Sequence, residues 1–415
     1  MIIYQVLPRL FSKGRFSSFN KKTFDYLKSL SVTHIWFTGV IRHSMDAPYV
    51  KGNIGSPFSI SDYYDVNPYL ADNPDRRLAE FKALITRCHN AGLKVLIDFV
   101  PNHVSPDYHD EHGGIKTLGR CDYDWTDTDK IDYGCKENWQ KMLDILRFWA
   151  SMGVDGFRCD MVELVPLDFW QYLISTAKSE FPDLLFIAEV YDMNKYSLFS
   201  YQANFDLLYD KSGLYDTLRA VSCAGASARN ITTNWQRLGP LQSRMLNFLE
   251  NHDEQRIASK RFAHHPELAY AALGVSALFY PTAFMLYFGQ EIGEDAADGA
   301  AGRTSIFDAA RAINPLGKLN PQQKAVLSKY RQTLALKAEL EESSNYDLCY
   351  CQSPEGGFDP NHHFAFLRGK DTLVVCNFKK SDVSLKIHIP SSADSSLPET
   401  VNLVVKAKDF TIYRK

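Results

Sequence analysis

The chain has 415 residues, 45% of them hydrophobic and 13% aromatic, with a formal net charge of −3. That is ample for a large core shared among more than one domain. A near-neutral balance gives no sign of the basic patch that nucleic-acid partners usually leave, and no apolar run reaches membrane-spanning length.

In chain order, Met1-Ile2-Ile3-Tyr4-Gln5-Val6-Leu7 runs straight into a strand pattern. No basic region, apolar run and small-residue cleavage site precedes it, so a cytoplasmic protein is expected; a trimmed chain would be secreted or periplasmic. Ile35-Trp36-Phe37, Val95-Leu96-Ile97-Asp98-Phe99-Val100 and Leu185-Phe186-Ile187-Ala188 are nearly continuous apolar runs. Such runs suit parallel strands covered on both faces. Between them, Asn73-Pro74 is a cap-then-Pro helix start, followed by Leu78, Phe81, Leu84, Ile85 and Cys88 at helical spacing and closed by Gly92. Trp139, Met142, Leu143, Leu146 and Trp149 form a second stripe that ends at Gly153.

Strands are predicted near residues 2–7, 33–39, 94–100, 156–160, 184–190, 205–209, 245–250 and 283–288. Strands alternating with helices over this length predict an α/β fold, a (β/α)8 TIM barrel. Residues 1–103 and 136–342 would form the barrel. Residues 104–135, polar and rich in His, Asp and Gly, would be a short insertion after the third strand. From about residue 343 the pattern changes to short β-rich runs, including Phe364-Ala365-Phe366-Leu367, Thr372-Leu373-Val374-Val375 and Leu385-Lys386-Ile387-His388-Ile389. Residues 343–415 would thus form a C-terminal antiparallel β domain, opened by Ser343-Ser344-Asn345. The eight cysteines are dispersed, and the one close pair, Cys349-x-Cys351, would point to opposite strand faces. Free thiols and no metal-ligand spacing are expected.

In such a barrel, catalytic groups project from the C-terminal ends of strands. Four predicted strand ends carry polar groups: Asp98-Phe99-Val100-Pro101-Asn102-His103; Arg158-Cys159-Asp160; Glu189 in Phe186-Ile187-Ala188-Glu189-Val190; and Asn247-Phe248-Leu249-Glu250-Asn251-His252-Asp253. Arg158 and Asp160 are two apart, on one face of a strand, where a guanidinium keeps a carboxylate ionised. An ionised carboxylate is what a nucleophile of this type requires.

These four segments, taken in order, resemble the four signature motifs of the α-amylase superfamily, glycoside hydrolase family thirteen. The resemblance extends to Gly55-Ser56-Pro57-Phe58-Ser59-Ile60-Ser61-Asp62-Tyr63-Tyr64 and to Tyr287-Phe288-Gly289-Gln290-Glu291. It implies a retaining enzyme acting on α-glucan oligosaccharides or polysaccharides. Asp160 would be the nucleophile, Glu189 the general acid and then base, and Asp253 a third carboxylate that stabilises the cationic transition state. Arg158 would orient Asp160, His103 and His252 would bond sugar hydroxyls, and Asp98 would support Arg158.

The chain also departs from the family. The aromatic platform, commonly Tyr, falls at Phe58; a shifted loop would offer Tyr63 or Tyr64 instead. Glu163 and Leu164 stand where many α-amylases have Lys-His beyond the nucleophile. Asn102 matches a calcium-site position, yet one oxygen ligand falls short of the six to eight that calcium prefers. Asp110, Asp122, Asp124 and Asp127 could add ligands. The reading expects no required cofactor and disfavours calcium. The motifs leave α-1,4 hydrolysis of starch-type glucans beside α-glucosidase, debranching or transglucosylase action with the same carboxylates, and beside a non-catalytic glucan-binding barrel. Oligomeric state is left open.

Overall fold

The computed structural model describes residues 1–46, 48–122, 124–297, 299, 301–340, 349 and 356–415. The eight predicted barrel strands are present: β1 (Ile2–Val6), β2 (His34–Phe37), β3 (Lys94–Phe99), β4 (Gly156–Cys159), β5 (Leu185–Ala188), β6 (Leu207–Tyr209), β7 (Met245–Phe248) and β8 (Ala283–Tyr287). They close into a barrel in the order β1-β8-β7-β6-β5-β4-β3-β2, so neighbours in sequence are neighbours in the sheet. Pairing is parallel, with Trp36 beside Leu96, Asp98 beside Arg158 and Ile187 beside Arg158. Both faces of these strands are covered, which is why they read as unbroken apolar runs rather than as alternation.

Helices α1 (Lys21–Lys28), α2 (Arg77–Asn90), α3 (Lys136–Ser151) and α4 (Leu167–Glu180) follow β1 to β4 in turn. The Asn73 side chain accepts the Asp75 N–H at 3.1 Å and starts a short 3-10 turn that leads into α2, as the Asn-Pro pair predicts. Phe81, Leu84, Ile85 and Cys88 then form the buried face of α2. The crossover from β5 to β6 contains no α-helix and turns through a single π-helical segment, Leu198–Gln202. Helices α5 (Asp216–Cys223) and α6 (Arg229–Leu238) precede β7, α7 (Tyr270–Leu278) precedes β8, and α8 (Pro321–Leu340) follows it.

The described chain divides into two compact units. The first comprises Ile3–Tyr209 and Thr304–Lys318. Besides β2 to β6 and α1 to α4 it holds a hairpin, Ile41–His43 against Ile60–Val66. It also holds the residues expected as an insertion, where His103–Val104, Asp129–Ile131 and Thr117–Arg120 form a small antiparallel sheet. The second unit comprises Met1–Ile2, Asp210–Arg303 and Leu319–Lys415. Its C-terminal strands are β9 (His363–Arg368), β10 (Thr372–Asn377), β11 (Val383–His388), β12 (Thr400–Val405) and β13 (Phe410–Arg414). β9, β10 and β13 form one antiparallel sheet, and β11 pairs with β12. A buried cluster that includes Leu367, Val375, Ile387 and Val405 joins them. Compactness groups these strands with β7 and β8 because α7 packs tightly on them. A Cβ at Gly274 of α7 would lie 2.7 Å from the Phe410 ring. The expected boundary at residue 343, Ser343-Ser344-Asn345 and Cys351 lie outside the described residues. The seven described cysteines are free.

Candidate active site

In the first unit the polar strand ends converge on Arg158. Gly156 opens β4 because a Cβ there would lie 2.4 Å from the Leu185 carbonyl oxygen, inside the contact limit. Its absence lets β4 and β5 lie close together where both strands begin, four residues before Asp160 and Glu189. The Arg158 side chain is fully buried, with Nη1 2.6 Å from Asp160 Oδ1 and Nη2 2.8 Å from Glu189 Oε1. Asp98 Oδ1 stands further off, 3.9 Å from Nη1, while Asp98 Oδ2 accepts the Gly39 N–H at 3.0 Å. Arg158 Nε donates to Tyr209 Oη at 3.3 Å. The rings of Phe58, Tyr209 and Trp36 lie 5.4, 5.5 and 5.6 Å from the guanidinium carbon, a geometry that favours a cation over aromatic faces. A buried guanidinium is costly alone; here two close carboxylates offset the desolvation.

Asp160 and Glu189 are neighbours by register. Arg158 pairs with Ile187 and Cys159 with Ala188, and the Glu189 N–H donates to the Cys159 carbonyl at 3.0 Å. One further residue along parallel strands brings Asp160 beside Glu189, on chains roughly 4.8 Å apart. Burial raises the Glu189 pKa; the Arg158 charge opposes this and the Asp160 charge adds to it. Immediately after Asp160 the chain turns through Met161, at φ 44° and ψ 48°. This left-handed conformation is costly for a side chain other than glycine, by roughly 1–2 kcal/mol. It aims the Met161 N–H at Glu189 Oε2, 2.7 Å away. Tyr191 Oη donates to Glu189 Oε1 at 2.7 Å.

The remaining predicted residues divide between support and surface. Asp98 is buried near Gly39 and Arg158, and burial raises its pKa to about 7 despite the Arg158 charge. His103 is buried, with Nδ1 3.1 Å from Asn102 Nδ2 and its ring 5.2 Å from that of Trp125. Burial lowers its pKa to about 4, so the imidazole is neutral at pH 7. Phe58 is half-buried beside Arg158. Tyr63 is a correction: it is fully buried, its hydroxyl donates to the Val100 carbonyl, and its own carbonyl accepts the Trp149 indole N–H at 2.9 Å. It ties the hairpin to β3 and α3 and presents no surface to a sugar.

In the second unit, Asn251, His252 and Asp253 follow β7. Asn251 Oδ1 accepts the backbone N–H groups of Asp253 and Glu254, both at 2.8 Å, which fixes the turn. His252 is buried, and its Nε2 is 3.0 Å from Asp253 Oδ2, whose side chain is 38% exposed. Glu250 faces inward, bonded to Arg256 Nη1 at 2.9 Å and to the Ile257 N–H at 2.6 Å, and serves the loop.

Of the residues considered for calcium, Asp110 is already engaged by other groups. Asp110 Oδ1 receives the Lys141 ammonium at 2.7 Å and the His112 N–H at 2.6 Å, while Tyr108 bonds Asp110 Oδ2. The Asn102 amide faces His103. Asp122 and Asp124 are exposed, and Asp127 is buried. Among the described residues no three His, Cys, Asp or Glu side chains are grouped to hold a metal ion. Nor, among them, is any helix long and apolar enough to cross a membrane.

Sequence reasoning missed three contributors: Trp125 against His103, Tyr191 against Glu189, and Glu163, whose carboxylate accepts the N–H groups of Tyr191 and Asp192. The spacing of two between Glu189 and Tyr191 was the available signal, since it repeats the Arg158–Asp160 spacing. Nothing local marked Trp125, and Glu163 stood out only as a departure from the family's pattern.

Comparison with known proteins places the chain in a family. The family model for the alpha amylase catalytic domain matches residues 20–134 and 121–313. Alpha-amylase MalA of Haloarcula japonica is 31% identical over 316 residues, covering 71% of this chain and 44% of its own. A cyclomaltodextrin glucanotransferase of Niallia circulans is 24% identical over 360 residues, covering 74% of this chain and 48% of its own. The chain thus spans about half the length of the curated relatives it matches. Among solved structures, maltogenic alpha-amylase AmyB of Thermotoga neapolitana shares the fold with a TM-score of 0.75 at 22% identity, covering 100% of this chain and 96% of its own. With the family model spanning well over half of the chain and a relative 31% identical over 71% of it, the protein belongs to the α-amylase catalytic-domain family.

Proposed function

We propose that this protein is a retaining glycoside hydrolase that cleaves α-1,4-glucosidic bonds of starch-type glucans or malto-oligosaccharides. The observation that carries the reading is a pair of carboxylates, Asp160 and Glu189, on adjacent strands and on two nitrogens of one buried guanidinium. Asp160, held on Arg158 Nη1, is the nucleophile that attacks the anomeric carbon and forms a glycosyl-enzyme. Glu189, whose pKa burial raises, protonates the departing oxygen and then deprotonates the incoming water. A retaining site requires a carboxyl separation of about 5–5.5 Å, and neighbouring positions on adjacent strands suit that spacing.

Asp253 is the third carboxylate in this reading, half-exposed at its strand end and able to stabilise positive charge developing on the sugar. His103, neutral at pH 7, and His252 bond sugar hydroxyls, and the Phe58 ring is the platform. The chemistry runs on side chains alone, with no metal ion. The test is the anomeric configuration of the first product released from maltoheptaose, followed by NMR. Retention yields the α-anomer before mutarotation, and prompt release of the β-anomer would remove the covalent mechanism. The relationship to a glucanotransferase makes transfer to a sugar acceptor the second reading; longer oligosaccharides accumulating from maltoheptaose would favour it.

A further inference from the structure

We infer that Glu163 is a positioning residue for the acid and acts through Tyr191. Glu163 lies in the one-turn 3-10 segment Val162–Leu164, directly after the nucleophile's left-handed turn. Its side chain is 15% exposed and points at the loop that follows Glu189. Glu163 Oε2 accepts the Tyr191 N–H at 3.0 Å and Oε1 accepts the Asp192 N–H at 3.1 Å. Lys195 Nζ stands 3.7 Å from Oε1. From the same short segment the Met161 N–H reaches Glu189 Oε2 at 2.7 Å, and the Val162 N–H reaches the Glu189 carbonyl at 3.2 Å. Residues 161–163 therefore hold residues 189–192 through four hydrogen bonds. The turn that carries the nucleophile and the loop that carries the acid are laced together.

The residue type matters. Two backbone N–H groups in one partly buried loop need two acceptors, and an ionised carboxylate offers two oxygens and no competing donor. Charge-assisted bonds of this kind are stronger than neutral ones. By fixing the backbone of Tyr191, Glu163 sets the phenol on Glu189 Oε1, the oxygen that also faces Arg158 Nη2. A hydroxyl donating to a carboxylate favours its charged form. Burial pushes the Glu189 pKa up, and the Tyr191 phenol works in the other direction. The two together keep Glu189 protonated for the first step yet able to act as a base in the second.

This rests on Glu189 being the acid, and the experiment separates the two claims. kcat/KM is measured across pH for maltoheptaose and for α-maltotriosyl fluoride, whose leaving group needs no acid. The enzymes are wild type, Glu163→Ala, Glu163→Gln, Tyr191→Phe and Glu189→Gln, each with a melting temperature to establish folding. Glu163→Ala and Tyr191→Phe lose roughly tenfold or more on maltoheptaose and less than about threefold on the fluoride, the value of a charged hydrogen bond. Their basic limb for maltoheptaose moves up by roughly one pH unit, since a donor to the charged form is lost. Glu163→Gln, which keeps one accepting oxygen, falls between Glu163→Ala and wild type. Equal losses on both substrates, or an unshifted basic limb, would overturn the positioning role. If Glu189→Gln shows the substrate split and Glu163→Ala does not, positioning alone fails. If Glu189→Gln loses equally on both substrates, the acid assignment fails with it.

Discussion

Replacing Arg158 with methionine keeps an apolar stem of similar length and removes the charge. Asp160 and Glu189 are then left 6% and 3% exposed with no cation between them. Removing one partner of a buried ion pair costs about 3–5 kcal/mol, most of it the desolvation of the stranded charge. The cost depends on pH with a definite sign. Without Arg158 the charge that opposes the burial-driven rise of the Glu189 pKa is gone, so its folded-state value lies further above the unfolded value of about 4.3. The folded state then binds more protons, so stability falls as pH rises through that window. Arg158→Met therefore loses about 3–5 kcal/mol near pH 7.5, and no more than about half of that near pH 5, where protonation relieves the burial. The assay is denaturant unfolding followed by tryptophan fluorescence at both pH values, with Arg158→Lys alongside. A single ammonium cannot place separate nitrogens at 2.6 Å from Asp160 and 2.8 Å from Glu189, so the lysine variant falls between. A loss that is equal at both pH values, or below about 1 kcal/mol at pH 7.5, would refute the view of Arg158 as the compensating charge.

Three other outcomes are expected. A chelator leaves activity and melting temperature unchanged, because Lys141 already neutralises Asp110; a large drop in either would restore a metal ion. Asp210 is buried and its pKa is raised from 3.8 to about 7, so the folded state loses up to about 4 kcal/mol as pH rises from 4 to 7. Asp210→Asn accordingly raises the melting temperature at pH 8 and leaves it unaltered at pH 4, and an equal effect at both would contradict this. Phe58→Ala lowers kcat/KM on maltoheptaose by roughly 5- to 30-fold, the worth of a desolvated aromatic face on a cation, while Phe58→Tyr retains most of the activity.

The barrel was legible because its strands are buried on both faces, and an unbroken run such as Val95-Leu96-Ile97 admits few other readings. Arg158 and Asp160 were legible for a related reason: the period of two holds through β4 and sets both on one face. Tyr63 was misread because Phe58, Tyr63 and Tyr64 are all aromatic within one short stretch. Register shifts in that hairpin leave spacing unable to decide which ring is turned inward. The missing α-helix between β5 and β6 carried no clear apolar period to announce its absence. Glu163 was legible only as a departure from the family. Its partners, the Tyr191 and Asp192 N–H groups, lie 28 and 29 residues away and meet it only once β4 and β5 pair. Local sequence holds no trace of such a contact. The Lys141–Asp110 pair spans 31 residues and was hidden in the same way.

The covalent step is tested most directly by trapping it. The enzyme is incubated with 5-fluoro-α-D-glucosyl fluoride, digested with pepsin and examined by mass spectrometry, with Asp160→Asn as the control. A glycosyl adduct on the peptide spanning Gly156-Phe157-Arg158-Cys159-Asp160, absent from Asp160→Asn, is the expected result. An adduct on Glu189 or Asp253, or undiminished turnover of maltoheptaose by Asp160→Asn, would contradict Asp160 as the nucleophile.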